Sequence, residues 1–386
     1  MRPQSAKIIS GSEAMAQAYR LGGVRISYTF PITPQSEVME CLAQEGLTCI
    51  QADSEYNVLA GAEGVLWSGE RCAVVTASQG LVLMNEVMWE VAGNRLPLVM
   101  GVFNRGLKGP GWCLGAQQND SLSMRDTGWL QFYCESAQEI LDLILISLRL
   151  AEAIALPVLV VGDGFYVSHE REEVWIPSPE DALEFVGTRS LEGLPRAGQP
   201  ASYGGLVPAE RYFALNQQMH RDVLRSAEVF REVAAEYGRL FGRHYGLVET
   251  HYTDDADIVI VAAGTIAGTV REVVEQARQQ GQAVGLIKML AFRPFPTADL
   301  LKHLEGCQKI IVLDRNLAPG LGGIFGAEIK MMLFQAGRLR PVYNFITGLG
   351  GLDVTPEMVG EALDYADRAT GLSPPPLFLT EAGIAL

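Results

Sequence analysis

The chain has 386 residues, 48% hydrophobic and 19% charged, with 41 Gly and 19 Pro; it is long enough for two or three domains of roughly 150 residues and too apolar for disorder. Thirty basic against 45 acidic residues leave a net charge of -15, which repels phosphate backbones and excludes nucleic acid as an expected partner. The most apolar uncharged run, residues 258–270, stops at 13 residues, well short of the roughly 20 that a membrane span needs, and MRPQSAKIISGSEA has no apolar signal core, so a cytoplasmic location is expected.

Along the chain, residues 12–21 read as an amphipathic helix. YTFPITPQSE (28–37) follows, with Pro31 and Pro34 bracketing Thr33 and a helix expected over 34–45 with Pro at its first position. The positive end of that helix would face the turn and suits an anion, although an ordinary Pro-capped helix start explains the motif equally well. In DSEYNVLAGAEGV, Glu55 stands between a short strand and a small-residue helix, where it could simply complement the helix dipole. A strand at 73–76 runs into TASQG, whose Ser78, Gln79 and Gly80 form a tight turn that either admits a close backbone approach or merely closes a βα loop. A strand at 98–103 ends in NRGLKGPGW. Ligands of open α/β sheets gather at carboxyl strand ends, and the Arg105 fork matches a carboxylate there; a solvated surface arginine is the alternative.

A helix at 138–153 and a strand at 159–161 lead to Gly162-Asp163-Gly164. From residue 170 to about 212 the text turns to Pro, Gly, Ser and charge, which reads as a long crossing segment, followed by a helix around 228–241. A second α/β unit opens at Asp257, with strands at 258–263, 283–287 and 310–313, and ends in a Pro-rich tail. AAGTIAG (262–268) has glycines after a strand but not the G-x-G-x-x-G spacing of a dinucleotide site. The six cysteines show no C-x-x-C spacing, so the chain offers no iron–sulfur or zinc ligand set of its own.

In this order, FPITPQSE, DSE before a small-residue helix, TASQGLVLM, NEVMWEVAGNRLPLVM, the strand-end NR, QNDSLSMRDTGW and GDGFYVSH resemble the α-subunit of 2-oxoacid:ferredoxin oxidoreductases of the pyruvate synthase type. The likeness covers nearly all of residues 5–170 and continues less specifically through IKMLAFRPFP, IIVLDRNLAPG and FITGLGGLDVT. It implies an α/β fold: a thiamine-diphosphate pyrimidine-binding parallel sheet domain over 1–240, with a crossing segment 170–240, then a transketolase C-terminal-like α/β domain over 241–386. It also implies thiamine diphosphate with Mg²⁺, shared with a β-subunit that carries the complete diphosphate motif; here no Asn follows Gly164 before Asn216. A γ-subunit, a ferredoxin-like δ-subunit, iron–sulfur (4Fe-4S) clusters confined to partner subunits and coenzyme A as co-substrate complete the implied enzyme.

By the same resemblance Glu55 matches the acid on the aminopyrimidine, Thr33 the hydroxyl near substrate and cofactor, and Arg105 the grip on the oxoacid carboxylate. Pro31, Ser78, Gln79 and Gly80 fall on the cofactor side. The implied reaction is oxidative decarboxylation of a 2-oxo acid to its acyl-CoA and CO2. Where relatives taking pyruvate resemble NRALSAP or NRAMGPPW, this chain has Gly106, Lys108, Gly109 and Gly111. The glycines suggest room for a bulky or aryl 2-oxo acid, while Lys108 could pair with a second carboxylate such as that of 2-oxoglutarate. The rival from another class is a non-catalytic scaffold subunit of an electron-transfer complex, which needs neither Glu55 nor Arg105.

Overall fold

Two seven-stranded sheets carry the chain, with a two-stranded ribbon beside the first. The computed structural model describes residues 2–190, 194–195, 202–371 and 374–385. Its first half holds strands β1 (Gln4–Ser10), β2 (Ile26–Thr29), β3 (Thr48–Gln51), β4 (Cys72–Thr76), β5 (Val99–Asn104), β6 (Leu130–Cys134), β7 (Val158–Asp163) and β8 (Arg171–Pro177). Between and after them lie helices α1 (Gly11–Leu21), α2 (Ser36–Gln44), α3 (Glu55–Trp67), α4 (Ser78–Leu83), α5 (Asn85–Gly93), α6 (Asn119–Leu122), α7 (Ala137–Ile154), α8 (Pro179–Val186) and α9 (Ala209–Phe241). The second half holds β9 (Val248–His251), β10 (Ile258–Ala263), β11 (Val284–Met289), β12 (Ala291–Arg293), β13 (Lys309–Asp314), β14 (Val342–Ile346), β15 (Leu377–Thr380) and β16 (Gly383–Ala385). Its helices are α10 (Ile266–Gln279), α11 (Thr297–His303), α12 (Ile324–Gln335) and α13 (Pro356–Arg368).

The first sheet runs β12-β6-β7-β5-β4-β2-β3, parallel except for β12 at its edge. The second runs β16-β15-β14-β13-β10-β11-β9, with only its edge strands β16 and β9 antiparallel. Parallel strands covered by helices on both faces must be apolar throughout, and β4, β5, β7 and β10 are buried at every residue. Helix α7, capped by Ser136 and buried along most of its length, packs against α1 and α9. A capping box between Ser10 and Glu13 fixes the start of α1, a device worth ~1 kcal/mol.

The chain order decides where each sheet opens. In the first, β2 leads outward to β3 and the chain then returns to β4 on the other side of β2. In the second, β10 leads to β11 and the chain returns to β13 on the other side of β10. These reversals part the connecting segments at the carboxyl ends of β2 and β4, and of β10 and β13, which is where open α/β sheets form crevices.

The expected crossing segment needs correction. Residues 171–177 form β8, paired antiparallel with β1, and residues 179–186 form α8. Helix α9 begins at Ala209 rather than near 228 and runs 33 residues. Its first turns are exposed on nearly every side, so no apolar stripe marks them; the buried stripe starts at Asp222 and runs through Ser226, Phe230, Val233 and Tyr237. Likewise β8 lies in a ribbon with one wet face and carries charge there. Most of the Pro/Gly-rich text at 191–201 lies outside the described residues.

Candidate active site

At the β2/β4 opening four connecting segments converge. The turn after β2 carries Thr33 and Gln35, the segment after β3 ends at Glu55, the turn after β4 is Ser78-Gln79-Gly80, and Arg105 follows β5 directly. Arg105 Nη1 donates to the Thr33 carbonyl oxygen at 2.6 Å, and Nη2 donates to Gln79 Oε1 at 2.6 Å. The Ser78 hydroxyl lies 2.7 Å from the Gly106 carbonyl oxygen and 2.8 Å from Gln79 Oε1. Because Oε1 of Gln79 faces both the guanidinium and this hydroxyl, its Nε2 is turned away, buried and without a partner. Gln35 Nε2 donates to the Thr76 carbonyl oxygen at 2.9 Å, joining the β2 turn to the end of β4.

Glycine at position 80 is required by contact: a Cβ there would lie 2.5 Å from Thr76 Oγ1 and 2.8 Å from Glu55 Oε1. Ser78, by contrast, is a non-glycine residue at φ +51, a left-handed conformation that surrounding contacts must hold. They include its N–H donated to Asp120 Oδ2 at 2.8 Å.

The electrostatics single out Arg105. It is 3% exposed, yet among the described residues no carboxylate stands within ion-pair distance of its guanidinium. Four other arginines with well-buried side chains are paired, Arg71 with Glu152, Arg243 with Asp142, Arg293 with Glu328 and Arg315 with Asp163, while Arg189 is held by the Leu66 and Glu70 carbonyl oxygens. Burial pulls the Arg105 guanidinium below its ordinary value, opposed chiefly by the nearby Asp120 carboxyl. Buried charge calls for a counter-charge, so this is a place prepared for an anion.

Besides Gln79 Nε2, four buried polar atoms near these strand ends lack partners: Thr29 Oγ1, Gln35 Oε1, Thr76 Oγ1 and Arg105 Nε. The carboxylate of Glu55, a residue 9% exposed, has no hydrogen-bond or ion-pair partner among the described residues. Carboxylate, amides and hydroxyls left open around a small-residue turn form a donor and acceptor set that suits an amino-substituted heteroaromatic ring beside a carboxylate. The residues present therefore fit the pyrimidine end of thiamine diphosphate.

The remaining expected residues are placed less centrally. Thr33 is exposed and meets Arg105 through its carbonyl, not its hydroxyl, and Pro31 is exposed. Lys108 is exposed with Nζ 4.6 Å from the Trp112 ring centroid, a ring that also lies 5.9 Å from the Arg105 guanidinium. The idea that Gly106 makes room is corrected: a Cβ there would lie 3.2 Å from Cys113 Cβ, whereas Gly109 and Gly111 face open space. Gln35, Thr76 and Asp120 were not singled out by sequence, although they lie inside the quoted motifs FPITPQSE, TASQGLVLM and QNDSLSMRDTGW.

The β10/β13 opening of the second sheet is filled by protein. Asp163 of the Gly162-Asp163-Gly164 turn reaches across, its Oδ2 accepting from the Thr265 N–H at 2.9 Å and the Thr265 hydroxyl at 2.7 Å. Gln118 Nε2 donates to its Oδ1 at 3.3 Å, and Arg315 Nε lies 3.8 Å from Oδ2. Gly264, at φ +63, leaves space for this carboxylate, since a Cβ there would lie 2.6 Å from Oδ2. The Gly162-Asp163-Gly164 turn and the AAGTIAG segment thus satisfy each other. Asp314 similarly accepts the Phe325 and Gly326 N–H groups that begin α12. Among the described residues the one group of carboxylates close enough to share a metal, Glu135, Glu139 and Glu249, surrounds the ammonium of buried Lys288 instead.

Residues 17–235 match the model of the pyruvate flavodoxin/ferredoxin oxidoreductase thiamine diphosphate-binding domain, and residues 256–359 match pyruvate:ferredoxin oxidoreductase core domain II. The chain belongs to the pyruvate:ferredoxin oxidoreductase family. Pyruvate synthase subunit PorA of Methanothermobacter thermautotrophicus is 37% identical over 363 residues, spanning 92% of this chain and 94% of its own length. Ketoisovalerate oxidoreductase subunit VorA of Pyrococcus abyssi is 38% identical over 357 residues, spanning 90% of each. A solved 2-oxoglutarate:ferredoxin oxidoreductase from Magnetococcus marinus shares the fold at TM-score 0.73 and 22% identity, covering 95% of this chain, which spans 66% of that longer one. A split-gene transketolase shares it at TM-score 0.56 and 12% identity, covering 92% of this chain and 96% of its own. The protein is accordingly an α-type subunit of a 2-oxoacid:ferredoxin oxidoreductase whose first domain is of the thiamine diphosphate-binding kind. Among its described residues no helix is long and apolar enough to cross a membrane.

Proposed function

We propose that this cytoplasmic subunit supplies the pyrimidine-side acid and the substrate carboxylate grip of an enzyme that converts a 2-oxo acid to its acyl-CoA and CO2. The observation that carries this reading is the buried Arg105 guanidinium, without an anionic partner, at the same strand-end opening as Glu55. Thiamine diphosphate, when bound, supplies a nucleophilic carbon and an electron sink for cleavage of the bond to the carboxylate. Glu55 would hold the proton shared with the pyrimidine ring, a general acid/base role. Gly80 lets that ring approach the turn, and Thr29, Gln35, Thr76 and Gln79 offer the open polar atoms around it. Arg105, steadied by Thr33 and Gln79, orients the substrate carboxylate so that its keto carbon faces the reacting centre.

The diphosphate and Mg²⁺ ligands would come from a β-subunit, because Asp163 is spent between the two halves of this chain. Electrons would leave through 4Fe-4S clusters on partner γ- and ferredoxin-like δ-subunits, since this chain's six cysteines are single thiols. The working domain division is 1–240 and 241–386, with β12 crossing it to pair with β6. For the substrate we favour, beside pyruvate, a 2-oxo acid with a bulky or aryl side chain: Gly109 and Gly111 leave open space next to the exposed Trp112 ring.

Glu55→Ala in the assembled enzyme tests the reading. Oxoacid-dependent acceptor reduction should fall by ~10² or more, the scale of a lost general acid/base. Activity within about threefold of wild type would instead favour the scaffold alternative.

A further inference from the structure

Asp120 bonds neither the Glu55 carboxylate nor the Arg105 guanidinium, yet both halves of the site hang on it. Its carboxylate is fully buried in the short helix α6. Oδ2 accepts the Ser78 N–H at 2.8 Å and the Arg105 N–H at 3.1 Å, and Oδ1 accepts the Ser121 N–H at 2.8 Å. Ser78 and Arg105 are the turn residues that follow β4 and β5, so one oxygen ties together two strand ends that no ladder joins beyond Thr76 and Val102. All three partners are backbone donors. Only a carboxylate offers acceptors in both directions, because an asparagine would turn its NH2 toward one of those N–H groups.

Helix α6 is itself held on two sides. The Ser121 hydroxyl bonds Asn104 Oδ1 at 2.8 Å and lies 2.9 Å from the Tyr133 hydroxyl, and Gln131 Nε2 donates to the Ser121 carbonyl oxygen at 2.9 Å. On the other side Asn119 exchanges hydrogen bonds with the Leu317 backbone at 2.9 and 3.0 Å, and the Gln118 N–H donates to the Arg315 carbonyl oxygen at 2.9 Å. The second domain thus fixes the helix that fixes the site.

We propose that Asp120 is a positioning residue that sets the register of the Ser78–Gly80 turn against Arg105, so that Gln79 Oε1 and the Thr33 carbonyl can hold the guanidinium fork toward the substrate carboxylate. This rests on the assignment of Arg105 to that carboxylate. A fork held from both terminal nitrogens lies in one orientation, and loosening the backbone behind it releases that orientation without removing the charge.

The test uses the assembled enzyme, Asp120→Asn, Arg105→Ala and their double variant. Readouts are KM and kcat for a 2-oxo acid, together with calorimetric binding of oxamate, an unreactive carboxylate of the same shape. Asp120→Asn should raise KM and the oxamate Kd about tenfold while kcat stays within about threefold, and should add nothing further in the Arg105→Ala background. Unchanged oxamate affinity in Asp120→Asn, or effects of the two variants that multiply, would overturn the proposal. If Arg105→Ala alone leaves oxamate binding unchanged, the carboxylate assignment fails and the positioning role falls with it, a result distinct from failure of Asp120 alone. Should Asp120→Asn fail to assemble, Asn119→Ala, which loosens the same helix from the Leu317 side, should raise KM in the same direction; no change in KM there would also overturn the proposal.

Discussion

Arg105 shows how a single side chain can be both packed and poised. Its two terminal nitrogens are committed to Thr33 and Gln79, while Nε is buried without a partner. A charge-assisted contact to a carboxylate contributes roughly 1.5–3 kcal/mol, so Arg105→Ala should lower kcat/KM by about 10–150-fold for every 2-oxo acid accepted. Arg105→Lys should recover only part of this, because a point charge cannot meet Thr33, Gln79 and a carboxylate with one rigid fork. Steady-state kinetics with pyruvate and a bulkier 2-oxo acid check both statements; a loss confined to one substrate would show that the carboxylate is held elsewhere. The residue itself was legible in the sequence as a strand-end arginine before glycines. What it lacked there was its surroundings: that no acid faces the guanidinium follows from burial across sequence separations of 26 and 72 residues.

At the scale of elements, the turn from β4 into α4 works through what it leaves out. Gly80 stands where any side chain would strike Thr76 and Glu55, and Ser78 accepts a left-handed backbone to aim Gln79 at Arg105. Gly80→Ala should therefore push the Glu55 carboxylate aside, costing roughly 10–100-fold in turnover through misplacement and ~1–3 kcal/mol in stability through overpacking. Parallel measurement of turnover and Tm separates the two; a variant with lowered Tm but full turnover would show that Glu55 tolerates the shift. Elements buried along most or all of their length, such as α7 and the strands at 98–103 and 258–263, were legible because burial dictates their apolar runs. The ribbon strand β8 and the exposed start of α9 were not, since nothing buried disciplines their sequence.

For the whole molecule, the joint between the two sheets holds a buried polar network. Asp163 accepts from Thr265 and Gln118 and faces Arg315, all across the joint or beside it. Removing one partner of such a buried group leaves the others unsatisfied, so Asp163→Ala should destabilise the chain by ~3–5 kcal/mol. Denaturant unfolding measures this, and the Mg²⁺ dependence of the assembled enzyme should stay as in wild type; a weakened Mg²⁺ requirement would return Asp163 to the metal. The sequence by itself determined the α/β class and the apolar strands, because strand burial and turn chemistry act over a few neighbouring residues, whereas the roles expected of Glu55, Thr33 and Arg105 came from likeness to a known family. Only the tertiary structure decided which of those residues meet. It turned Gly162-Asp163-Gly164 and AAGTIAG into partners of each other, closed Gly106 against Cys113, and brought Asp120 under two strand ends. The first and last of these depend on the order in which strands enter a sheet, a long-range choice that no local pattern of side chains records, and the second on how the loop after β5 folds back on itself.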